Sequence, residues 1–191
     1  SCLGNELMRC EHNGNDTTKK VEENHIPAIN YAVSYSALLQ RCDDEFTLSI
    51  NSCDHHSPAY LELVRIEQRV MEQLRIAGSV LRRFGLDEFV LECAARLLDR
   101  LYYRQSAKMA ECKALLTALY QSGQETMQAK ALLCHVHILA VRNRFAEAKQ
   151  LLTTAHLQEN INRFPVPIQI LYNRTLVQMG LAAFRSGMMI D

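Results

Sequence analysis

From Leu86 to Tyr102 the apolar residues Leu86, Phe89, Val90, Cys93, Ala94, Leu97, Leu98, Leu101 and Tyr102 return at steps of three and four with almost no slip. A chain patterned in this way can bury those groups together only as a helix, because a strand would send alternate members to opposite faces. The preceding stretch repeats the pattern: Leu63, Ile66, Val70, Leu74, Ala77, Leu81 and Phe84 lie 3, 4, 4, 3, 4 and 3 positions apart. Gly85 divides the two stripes and is the residue type that closes a helix in the left-handed conformation. Gly78 interrupts the first stripe, where it would let a neighbouring helix approach closely.

The same period runs through most of the chain. Ala32, Tyr35, Leu38, Leu39, Cys42, Phe46 and Ile50 predict a first helix over Ile29 to Ile50 with these residues on one face. "SCDHHSP" breaks it, and Ser57 followed by Pro58 predicts the start of the next helix: a hydroxyl cap, then a fixed φ where no N–H is needed. Further helices are expected over Ser106 to Tyr120, Gln124 to Val141, Phe145 to His156 and Val166 to Arg185, separated by "QSG", "RNR" and the Pro165/Pro167 loop. No window alternates with period two, so the expected class is all-α, with seven helices. Short connections make consecutive helices antiparallel neighbours, and hairpins that cannot bury their faces alone stack into a solenoid; a closed bundle is the alternative.

Residues 1–25 are rich in Asn, Asp, Glu, Lys and Thr and show no apolar period, which predicts a disordered or extended linker or tail ahead of a helical domain over 26–191. The opening residues have neither an initiator Met nor the apolar centre of a signal peptide, so the ends read as cut. No apolar run approaches the roughly 20 residues that span a bilayer. Lys+Arg and Asp+Glu both number 21, so any basic surface must be local. Seven scattered cysteines, several on apolar stripes, point to a reducing, cytosolic compartment. "SCDHH" with Cys53, His55 and His56, and "LLCHVH" with Cys134 and His137, invite a zinc reading. Neither has a second pair at ligand spacing, so the preferred reading is a connecting loop for the first and a core thiol with flanking imidazoles for the second, with no cofactor or metal expected.

Internal similarity supports the stack. "VHILAVRN" and "GLAAFRSG" each place small and apolar residues on a helix and then a turn residue, Asn143 or Gly187, 44 positions apart. Both resemble the end of the first helix of a tetratricopeptide unit, and "NRFAEAKQLL" resembles its second helix, with Phe145, Ala148, Leu151 and Leu152 inward and small Ala146 and Ala148 admitting a neighbour. The offset exceeds a standard repeat, and the Pro165/Pro167 loop is the expected insertion.

The stretch from "ALLCHVHILAVRN" through "HLQENI", "PIQILYNRTLVQMG" and "AFRSG" resembles the helical region of the c-subunit family of eukaryotic translation initiation factor 3. The run Ile170, Leu171, Tyr172, Asn173, Arg174, Thr175 carries most of it, and a weaker likeness extends upstream through "CDDEFTLSINSCDHHSPAYLELVRIE". The resemblance implies a TPR-like, right-handed helical solenoid that runs into a winged helix, the two together making a PCI domain; this sequence would stop before the winged helix. It also implies a non-catalytic, cytoplasmic scaffold subunit that packs on sister subunits of the factor and docks to the small (40S) ribosomal subunit, through its protein and, in one reading, its rRNA, with no membrane or small-molecule substrate. Gln169, Leu171, Tyr172, Asn173, Arg174, Gln178, Gly180 and Phe184 would then serve packing or a subunit interface. On a helix, Leu171, Thr175 and Met179 share a face, while Arg174 lies on another, free to reach a carboxylate or a neighbouring repeat.

Apart from the resemblance, Arg96, Arg100, Arg104 and Lys108 recur every four residues, a ladder whose step suits successive phosphates. An rRNA-facing edge is one reading; a solvated flank partly neutralised by Asp99 and Glu92 is the preferred one. Arg82 and Arg83, beside Phe84, are a second basic candidate. No Gly-rich phosphate loop or nucleophile elbow appears, so no enzyme is expected. A helical-repeat adaptor, or a PCI subunit of another complex of the proteasome-lid or signalosome type, is the alternative function.

Overall fold

The computed structural model describes residues 3–188, with side chains described from Ala28 onward. The helices are α1 (Leu3–Ser52), α2 (Pro58–Arg83), α3 (Asp87–Leu101), α4 (Met109–Tyr120), α5 (Glu125–Val141), α6 (Phe145–Thr154), a single turn α7 (Leu157–Asn160), a 3-10 turn (Ile161–Arg163) and α8 (Val166–Arg185). No strand occurs among the described residues. The tail expected over residues 1–25 lies outside the described side chains. The insertion expected at the Pro165/Pro167 loop lies just before it, in α7 and the 3-10 turn entered through His156 at φ 48°, because Pro165 caps α8 and Pro167 lies in its first turn.

Helix ends follow from local chemistry. Ser57 Oγ accepts a hydrogen bond from the Tyr60 amide at 3.3 Å, and Pro58 occupies the first helical position. Three helices stop in one way, with a left-handed residue and a bond spanning the last turn: Gly85 (φ 67°), Asn143 (φ 59°) and Gly187 (φ 72°). The amides of Leu86, Arg144 and Met188 there donate to the carbonyls of Leu81, Leu139 and Ala183 at 3.1, 3.0 and 3.0 Å. The first two turns each send the next helix back along its predecessor, α3 on α2 and α6 on α5.

Consecutive helices pack on one another from α1 to α6, and α8 returns to lie along α5 and touch α6. The chain is thus an all-α stack of helix hairpins, not a closed bundle. α5 is its centre: Ala131, Leu133, Cys134, Val136 and Ala140 are fully out of solvent. It packs on α3, α4, α6 and α8. The inward positions expected on α6 are observed, with Ala148 and Leu152 buried and Phe145 and Leu151 packed against the main core, whereas Ala146, expected to admit a neighbour, is exposed.

Two expectations are corrected. Of the face expected on α1, Ala32 and Phe46 are buried and Leu39 and Ile50 half-buried, but Tyr35, Leu38 and Cys42 face solvent and Ser36 and Asp43 are buried in their place. The face differs because a carboxylate, not a further apolar group, is what the body of the fold receives there. Gly78 is not forced by close packing: a Cβ at that position would meet nothing nearer than Cys93 Cβ at 4.0 Å.

Candidate interaction surfaces

The arginine ladder of α3 points into the protein. Arg100 Nη2 donates to Asp43 Oδ1 at 2.6 Å and to Thr47 Oγ1 at 2.7 Å, and its guanidinium lies over the Phe46 ring at 4.8 Å. One turn earlier, Arg96 Nη1 donates to Asp43 Oδ2 at 2.9 Å and Asp44 Oδ1 at 2.6 Å, while Arg96 Nε donates to Glu92 Oε1 at 2.9 Å. One turn later, Arg104 Nη2 donates to Glu67 Oε2 of α2. Asp43 and Glu67 retain only 7% and 5% of their side-chain exposure, so these pairs are interior. Burial works against the charged form of Arg96, but its hydrogen bonds to Asp44 and Asp43 outweigh that and hold the guanidinium pKa above its ordinary value. The first three arginines of the ladder therefore join α3 to α1 and α2 and are already engaged by carboxylates. They are not the solvated flank expected of them; a guanidinium is hidden there because Asp43 and Glu67 supply its counter-charge.

Lys108, the last rung, is exposed at the start of α4, and Arg82 and Arg83 are exposed in the last turn of α2. Asp99, expected to offset the ladder, instead accepts from Lys130 Nζ of α5 at 2.6 Å. Cys53 lies in the α1–α2 loop, with Sγ 3.3 Å from Ser57 Oγ, and His55 stacks on Tyr60 with ring centroids 4.8 Å apart. Cys134 is completely buried, which pushes its thiol pKa far up. His137 packs edge-on against Tyr102 at 4.8 Å; burial, aided by the Arg174 charge, pulls its imidazole down to about 4.

Helix α8 has two apolar sides. Ile168, Leu171, Thr175, Met179 and Ala182 are buried against α5 and α6. Thr175 Oγ1 donates to the Leu171 carbonyl at 2.8 Å and approaches the Leu133 carbonyl of α5 at 3.5 Å, so the one polar group in that stripe is satisfied. On the opposite side Val166, Ile170, Val177, Leu181 and Phe184 are exposed, Val177 at 65% and Phe184 at 64%. Their spacing of 4, 7, 4 and 3 keeps them in one line over five turns.

The other residues singled out by resemblance divide between support and surface. Gln169 Nε2 donates to the Phe164 carbonyl at 2.8 Å and fixes the entry into α8, and Tyr172 packs against the core. Asn173, Arg174 and Gly180 are exposed and Gln178 half-buried. Burial pushes the Tyr102 hydroxyl pKa up, and the Arg174 guanidinium of α8 opposes that shift. Nearby, Arg185 Nε donates to Asn143 Oδ1 at 2.7 Å and Arg185 Nη2 to the Ala140 carbonyl at 3.4 Å, tying the two repeat turns together. Sequence reasoning missed Asp43, Glu67 and the Arg185–Asn143 bridge. For the two carboxylates a signal was present, since each sits at an inward register of its own helix.

This geometry defines a class: an all-α stack of helix hairpins whose buried polar groups join helix to helix and whose last described helix presents a second apolar face. The chain belongs to the family described as eukaryotic translation initiation factor 3 subunit 8 N-terminus, whose model matches residues 4–118 and 111–191. It is similar to the C subunits of eukaryotic translation initiation factor 3 from Schizosaccharomyces pombe, 31% identical over 184 residues, and from Xenopus tropicalis, 33% identical over 181 residues. Each alignment covers 81% of this chain and 20% of the relative. The Dictyostelium discoideum counterpart is 30% identical over 165 residues, covering 79% of this chain and 18% of the relative. The chain thus spans about a fifth of the length of these relatives.

Proposed function

We propose that this chain is a helical-repeat segment of a cytoplasmic, non-catalytic scaffold subunit of translation initiation factor 3. In this reading it packs on sister subunits and helps the factor dock to the small ribosomal subunit as the initiation complex assembles. The observation that carries the reading, beside the family membership, is the two-sided apolar character of α8. α5 has the same two-sided character and both of its sides are covered; α8 has one covered side and one row of five exposed apolar residues. Exposed apolar rows of this kind mark surfaces made for another protein element. The Gly187 turn repeats the geometry of those that send α3 and α6 back along their predecessors, so the parent protein's next helix would return along α8. The stack would then continue towards the winged helix of a PCI domain. Exposed Lys108, Arg82 and Arg83 are the cations of the basic set that remain available for rRNA phosphates.

Affinity capture of the full-length parent tests the assignment. Small ribosomal subunits and other initiation factor 3 subunits should be retained, with the ribosomal subunit lost as salt is raised. Recovery of proteasome-lid or signalosome subunits in their place would refute it.

A further inference from the structure

The apolar contribution of α1 to its contact with the body is thin. Ala32 and Phe46 are buried; Ala28, Ile29, Val33, Leu39 and Ile50 are half-buried, of which Leu39 packs against the buried clusters, and the remaining buried positions are Ser36 and Asp43. Ser36 Oγ has no hydrogen-bond partner among the described residues, an uncompensated cost within that contact. What holds the helix in register is charge: Asp43 and Asp44 grip Arg96 and Arg100 of α3, and the Tyr35 hydroxyl donates to Gln73 Oε1 of α2 at 3.3 Å. The outer side of the same helix carries Tyr31, Leu38 and Leu48 at 76%, 59% and 64% exposure. The receiving surface is the opposite kind of object: Ala77 and Leu81 of α2 and Val90 and Cys93 of α3 form one buried apolar cluster, bordered by the two arginines.

We propose that the trough between α2 and α3 is an exchangeable binding site for an acidic amphipathic helix, with α1 as its resident occupant. The site reads a simple pattern: a small residue over Ala77 and Leu81, then an aspartate about three turns on for Arg96 and Arg100, then an aromatic ring under the Arg100 guanidinium. A helix from another protein with that pattern competes with α1. Because the affinity of the resident comes largely from ion pairs, which break even against their own desolvation, exchange needs no unfolding of the stack around α5. The inference stands on the α1 contacts alone and does not depend on the proposed role in initiation.

The test uses the full 191-residue chain, a labelled peptide of residues 28–52, and the variant Asp43→Asn/Asp44→Asn, which weakens the resident helix and leaves the trough intact. The peptide should bind the double variant at least ten-fold tighter than the unaltered chain, and adding Arg100→Ala should reverse that gain. Amides of Ala32 to Phe46 should exchange at least ten-fold faster in the variant, while those of α5 stay unchanged. Asp44→Asn alone, which removes only the exposed carboxylate, should move both readouts in the same direction by a smaller factor. Equal peptide binding to variant and unaltered chain would overturn the proposal. So would faster exchange in α1 and α5 together, which would make α1 an inseparable part of one cooperative unit.

Discussion

Asp43 and Arg100, 57 positions apart in sequence, meet at 2.6 Å with 7% and 10% of their side-chain surface exposed. Removing Arg100 leaves Asp43 dry and held by Arg96 alone. Arg100→Ala should therefore cost α1 docking about 1.5–3 kcal/mol. The exposed Arg65–Glu62 pair on α2 is a built-in comparison, and Arg65→Ala should cost no more than about 1 kcal/mol. Native-state amide exchange of Ala32 to Phe46 measures the first, and urea unfolding the second.

Gly78 sits in the interior of α2 with room for a methyl group. Replacing it by Ala lowers the backbone entropy of the unfolded chain and meets only Cys93 Cβ at van der Waals distance. Gly78→Ala should raise stability by roughly 0.5–1 kcal/mol, seen as a higher urea midpoint with unchanged slope. A lower midpoint would show that α2 and α3 lie closer than the structure has them.

Asn143 combines a left-handed φ with a side-chain oxygen that accepts from Arg185. Asn143→Ala loses both advantages and should cost about 1–2 kcal/mol. Asn143→Gly restores the backbone freedom and loses only the bridge, so it should cost less than Asn143→Ala. Thermal melts of the two variants give the order directly.

The pH dependence should centre on His137. Its folded pKa is pulled from 6.5 to about 4, so between those values the unfolded chain takes up a proton that the folded one refuses. Stability should be unaffected by this residue above about pH 7, fall as pH drops through 6.5 towards 4, and level off below, by at most roughly 3 kcal/mol in all. His135, also shifted down by burial, contributes in the same direction. Urea midpoints from pH 7 to 4 should flatten in His137→Gln and flatten further when His135→Asn is added.

The helices were legible because their signals are local. The α3 stripe, the Ser57–Pro58 start and the Gly85 and Asn143 stops each depend on residues within two turns of one another. Boundaries of α5 and α8 fall within a residue of expectation for that reason. The orientation of the ladder was not legible. Arg96, Arg100 and Arg104 read as surface because a lone guanidinium is costly to bury, and the buried carboxylates that they bond, Asp43 and Glu67, lie 37 or more positions away. For the same reason the inward face of α1 was read too wide: Ala32 and Phe46 are buried as expected, but Tyr35, Leu38 and Cys42 are not, because Asp43 takes the inward position. The outer row of α8 was equally hidden, since a helix apolar all round reads as simply buried.

The central claim is that this stack serves as architecture, with the outer face of α8 covered by protein in the assembled parent. Hydroxyl-radical footprinting of Val177, Leu181 and Phe184 measures it, first in the isolated chain and then in the full-length protein bound in its complex. The account predicts strong labelling of all three in the isolated chain and at least ten-fold weaker labelling in the assembly. Equal labelling in both would leave that face bare in the working protein and contradict the account.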